Sequence, residues 1–144
     1  MAHHYGAHTM MHMCGCSRAF LPRLIELGLD IYDVVQPTTP EMDIATLKKE
    51  FSPPLTFCGT VCVQSTLAFG TAEDVINEVQ RRKNLFPEGG LFLGPTHAIQ
   101  VGTPLENILA LYRTAGSLNE NLIDTVKNIR DDNKGDKINM SKLF

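Results

Sequence analysis

The chain has 144 residues with a formal net charge of -3, and 43% of them are apolar and 20% charged. These are the proportions of one globular domain, and they exclude a disordered, collagen-like or fibrous chain. The pI near 5.9 leaves no basic field for nucleic acid or anionic lipid, and no apolar run approaches the roughly 18 residues of a membrane span.

The opening Met-Ala-His-His-Tyr-Gly-Ala-His has neither a cationic flank nor an apolar stretch, so it does not read as a secretory signal. The four cysteines read as thiols rather than as a disulfide framework. The expectation is a soluble, cytoplasmic α/β protein with no nucleic-acid or membrane partner.

Short β-rich runs alternate with helical ones. His8 to Met13 predicts a first strand. A helix follows from Ser17 to Leu27, with Ser17 as its cap and Gly28 at its end. Ile31 to Gln36 predicts a second strand, closed by Pro37 to Pro40. A helix from about Met42 to Phe51 has Asp43 as its cap and Pro53-Pro54 as its stop. Leu55 to Gly59 predicts a third strand. Thr71 and Asp74 form a capping pattern for a third helix, which carries Val75, Ile76, Val79 and Leu85 at helical spacing and ends at Pro87 to Gly90. Leu91 to Pro95 predicts a fourth strand, and Thr103-Pro104-Leu105-Glu106 opens a helix through about Tyr112, with Thr103 as its cap.

Such alternation implies parallel β-α units with right-handed crossovers. Four units in about 105 residues have the density of a (β/α)8 barrel, which needs about 250 residues. An open four-stranded sheet and half a barrel both fit, and the half-barrel has two raw edges to cover. From Gly116 onward the chain turns polar and charged. A short helix near 119–130, with Leu122, Val126 and Ile129 as its apolar stripe, and then a loose tail are expected.

The chemistry-bearing residues gather at strand ends. Residues two apart in a strand face the same side, so His12 and Cys14 project together at the carboxyl end of the first strand. In α/β enzymes this end holds the site. An imidazole and a thiolate make half of a zinc site, although the same pair also serves packing on a buried strand. His97 stands just past the fourth strand. With His12 and Cys14 it would give three ligands and one open position, the pattern of a catalytic zinc. A loop histidine that orders the following turn is the plainer reading. Cys58 and Cys62 read as small apolar fillers, and the turn at Gly15 leaves the direction of Cys16 open. Gln36, Gln64 and Gln100 lie near strand ends, where each could contact a polar substrate or serve as an ordinary loop residue.

Several segments then stand out together: Met11 to Gly15 (MHMCG), Gly28 to Ile31 with Val35-Gln36-Pro37, Leu47 to Phe51, Leu55 to Gly59, Phe69 to Val75, and Thr96 to Gln100 with Thr103 to Ile108. In order and spacing they resemble the C-terminal half of the uroporphyrinogen decarboxylase family, over roughly residues 1–115. The resemblance implies the last four β-α units of a (β/α)8 barrel, with the short helix and polar tail expected from composition over 116–144 lying beyond it. It places Ala2 to Ala7 at the tail of a helix entering a strand. In the decarboxylases, the arginines that bind substrate propionates and the aspartate that orients the pyrroles belong to the N-terminal half. Of those substrate-binding groups, His97 alone has a counterpart in this sequence.

The family's second branch, the corrinoid-dependent methyltransferases, includes methylcobamide:coenzyme M methyltransferases. These bind zinc through a His-x-Cys pair, matched here by His12 and Cys14, and a later third ligand. That ligand is a cysteine in the coenzyme M enzymes, and His97 stands near its place. Decarboxylases carry an acidic residue near the position of Cys14. The resemblance therefore implies zinc at His12, Cys14 and His97, and methyl transfer between a substrate thiol and a corrinoid on a partner protein. His97 would complete the metal shell or meet an anionic substrate. The alternatives are uroporphyrinogen decarboxylation, with His97 holding a propionate and no cofactor, and a non-catalytic half-barrel. The raw edges imply pairing in a homodimer or with a complementary N-terminal half-barrel, and a chain inactive in isolation.

Overall fold

A computed structural model describes residues 2–118. The expected helix near 119–130 and the tail after it lie outside the described residues. A 3-10 turn at Ala2–Tyr5 precedes strand β1, Met10–His12. The rest of the order is α1 (Leu21–Glu26), β2 (Ile31–Val35), α2 (Ile44–Phe51), β3 (Thr56–Val61), α3 (Thr66–Phe69), α4 (Ala72–Leu85), β4 (Leu91–Pro95) and α5 (Leu105–Ala115). The four strands form one parallel sheet in the order β1-β2-β3-β4. This is four consecutive β-α units, half of a (β/α)8 barrel.

Local signals explain most boundaries. The Asp43 carboxylate accepts the Thr46 N–H at 2.9 Å and so starts α2. Thr71 and Asp74 form a complete capping box at α4, with the Asp74 carboxylate accepting the Thr71 N–H at 2.8 Å. Gly28, at φ +93, lets the chain leave α1 in the left-handed conformation.

Other expectations are corrected. Ser17 does not cap a helix. It precedes a 3-10 turn at Arg18–Phe20 and is fully buried, and its hydroxyl bonds the Tyr32 hydroxyl instead. Thr103 makes no cap either: Pro104 occupies that position in α5, with no side-chain bond to the helix end. The turn Ala2–Tyr5 replaces the expected helix tail. Strand β3 extends two residues past Gly59, to Val61. The short helix α3 has no local cap. It is held from outside by buried Asn107 of α5, whose amide donates to the Leu67 carbonyl at 3.0 Å and the Gly70 carbonyl at 2.7 Å.

The core lies between the sheet and the helices, in two clusters. One joins Tyr32, Val35 and Phe57 of the sheet to Leu21, Ile44, Leu47 and Phe86. The other joins Val61 and Val63 to Leu67, Val75, Val79 and Leu111 around α4 and α5. Because Tyr32 and Phe57 turn toward the helices, the alternate residues Asp33 and Cys58 face the opposite side. On that side Met10 and Phe92 keep 56% and 58% of their surface exposed, so the face is uncovered among the described residues.

Candidate active site

The carboxyl ends of the strands bring His12, Asp33 and His97 around one small cavity of about 220 Å³, completed by Val34, Pro95, Thr96 and Ala98. His12 is the last residue of β1 and is paired in register with Asp33 of β2. The chain after β1 is anchored before it reaches Cys14. The Met13 N–H donates to the Asp33 carbonyl at 2.6 Å, and the buried Tyr32 hydroxyl donates to the Met13 carbonyl at 2.9 Å. Burial raises the Tyr32 pKa above its ordinary value, which keeps that hydroxyl a donor.

This anchoring sets Cys14 against His12. The Cys14 Sγ lies 3.2 Å from Nε2 of the His12 ring, and the other ring nitrogen, Nδ1, lies 2.6 Å from Oδ2 of Asp33. Burial first, and the neighbouring Asp33 second, push the pKa of the Cys58 thiol, on β3, up to about 11. Cys62 is buried, as a small core residue should be. Its thiol also lies 3.6 Å from the Thr38 hydroxyl.

His97 reaches the site through Thr96, which is fully buried and ties β4 to β3. Its N–H donates to the Val61 carbonyl at 2.9 Å, and its hydroxyl accepts the Val63 N–H at 3.2 Å. The His97 ring is exposed and meets His12 edge-on, with 6.4 Å between the ring centres.

His12 and Cys14 therefore form a close pair and His97 a neighbour one ring away. Among the described residues no three His, Cys, Asp or Glu side chains converge closely enough to hold a metal ion. The pair itself has the right chemistry for two zinc ligands, since one imidazole nitrogen is tied to a carboxylate and the other is turned toward a thiol.

The glutamines stand apart from this pair. The Gln36 side chain donates to that of Gln64, and Gln100 folds back onto the Ala98 carbonyl at 2.7 Å. Gln64 and Gln100 also line a separate cavity of about 410 Å³ beside the exposed Phe69 and Val101. Asp33 is the residue that strand-end reasoning missed. Its signal was a lone carboxylate within Ile-Tyr-Asp-Val-Val, on a strand that parallel pairing sets beside His12.

Among the described residues no helix is long and apolar enough to cross a membrane. The sequence model of the uroporphyrinogen decarboxylase (URO-D) family matches residues 1–118 of the chain. No curated protein matches it at a significant level.

Proposed function

The chain belongs to the uroporphyrinogen decarboxylase family, and from that premise we propose that it carries the metal-binding wall of a zinc-dependent, corrinoid-linked methyltransferase. The observation behind this reading is the His12–Cys14 pair, with 3.2 Å between Nε2 and Sγ at the carboxyl end of β1. Decarboxylases of the family, by resemblance, have an acidic group near the place of Cys14. A thiol there favours a soft metal instead.

In this reading His12 Nε2 and Cys14 Sγ would be two protein ligands, and His97, whose ring centre stands 6.4 Å from that of His12, would have to move closer to supply a third donor. Bound there, zinc would supply the Lewis acidity that holds a substrate thiol as thiolate near neutral pH. Asp33 keeps the His12 ring turned toward the site. The open edges of β1 and β4 would pair with the rest of the barrel, from a second copy or a complementary half-barrel, which would also cover the face carrying Met10 and Phe92. The chemistry such a site would serve is methyl transfer between a substrate sulfur and a corrinoid carried by a partner protein.

A second reading is decarboxylation of uroporphyrinogen. The separation of His97 from the pair favours it, because an exposed imidazole 6.4 Å from the His12 ring can meet a propionate by itself.

Titration of the metal-free chain with cobalt(II) tests the first reading. The expected result is a sulfur-to-cobalt charge-transfer band in the near ultraviolet, absent in Cys14→Ser. A chain that develops no such band would favour the second reading.

A further inference from the structure

We propose that Asp33 is a positioning residue that fixes the tautomer and rotation of His12, so that Nε2 is the nitrogen offered to the site. The inference builds on the metal-site reading above and concerns an additional residue of the same site. His12 is not held by packing: its side chain is 52% exposed, against 22% for Asp33. What orients the ring is the contact of 2.6 Å from Nδ1 to Oδ2 of Asp33.

A carboxylate offers only acceptors, and a neutral imidazole has one donor and one acceptor nitrogen. The bond therefore places the proton on Nδ1 and leaves the Nε2 lone pair directed at Cys14. The carboxylate is itself held in place. Asp33 lies in the β2 ladder opposite His12, and its backbone carbonyl accepts the Met13 N–H at 2.6 Å. Its position is thus set by the β1–β2 ladder. Carboxylate partners of this kind commonly contribute 10–100-fold to metal affinity.

Two readouts test the assignment, and one of them needs no metal. In nitrogen-correlated NMR spectra of the metal-free chain, His12 is expected as the Nδ1–H tautomer. Asp33→Ala should shift it toward Nε2–H. Asp33→Asn keeps the side-chain shape and can donate to Nδ1, so it should give the same shift if the alanine variant folds poorly. Zinc affinity, measured by competition with a chromophoric chelator, is expected to fall about 10–100-fold in both variants and to recover in part in Asp33→Glu. An unchanged His12 tautomer, or unchanged zinc affinity, in both Asp33 variants would overturn the proposal. A tautomer shift in a chain that takes no zinc would instead overturn the metal-site reading and leave the positioning role in place.

Discussion

Nε2 of His12 lies 3.2 Å from Sγ of Cys14 because two anchors act on the residue between them. Met13 is held through its N–H by the Asp33 carbonyl and through its own carbonyl by the Tyr32 hydroxyl. The strand ends at His12, yet the next two residues keep the direction that the strand gave them. The pair is thus a property of the β1–β2 ladder and of the buried tyrosine beneath it.

Asn107 is expected to be a stability hot spot far from the chemistry. Its amide joins α5 to the carbonyls of Leu67 and Gly70, and it is 2% exposed. Asn107→Ala should cost about 1–3 kcal/mol, because buried carbonyls lose their partner. Urea denaturation would measure this. A loss within about 0.5 kcal/mol, the usual range of surface substitutions, would contradict it.

Much of the fold was legible because its signals are local. The capping box of Thr71 and Asp74, the Asp43 cap and the Gly28 exit each lie within a few residues of the boundary they set. The short helix α3 was not legible, since its support arrives from Asn107, some 40 residues later in the chain. Ser17 misled for the opposite reason: a good local cap was taken up by a tertiary partner, the Tyr32 hydroxyl. In the site, strand parity alone brought His12 and Cys14 together. The role of Asp33 depended on the register between β1 and β2, which parity within one strand does not contain. The glutamines lie near strand ends as expected, but each has an intramolecular partner.

Gly59 should tolerate no side chain. It sits in β3 at φ +89, and a Cβ there would collide with Cγ2 of Val34, with the Pro95 carbonyl oxygen only 3.4 Å away. The left-handed backbone and the overpacking together predict a loss of roughly 2–5 kcal/mol for Gly59→Ala. Thermal unfolding checks this, and a variant with wild-type melting temperature would show that β2 and β3 are less tightly apposed there.

Asp30 makes the amino-terminal segment sensitive to acid. Its carboxylate accepts the Thr9 N–H at 2.6 Å and lies 2.7 Å from the His3 ring, and these contacts lower its pKa from 3.8 to about 2. A carboxyl whose folded pKa lies below its unfolded one stabilises the fold at higher pH, and that contribution fades as pH falls from about 4 to 2. Asp30→Asn should therefore melt below wild type at neutral pH and converge with it near pH 2. A difference that does not change with pH would contradict this account.

Strands β1 and β4 each have one edge with no strand partner among the described residues. Covered edges predict slow amide exchange along the outer side of both strands and a species larger than one chain in sedimentation. A monomer at micromolar concentration with both outer strands protected would show that the edges are closed without a partner.

The central claim is that His12 and Cys14 are zinc ligands, and native mass spectrometry before and after chelation tests it most directly. The account predicts one zinc per chain in the untreated protein, removed by chelator and lost in both His12→Ala and Cys14→Ala. A metal-free wild-type chain, or zinc retained at full stoichiometry in both variants, would contradict it.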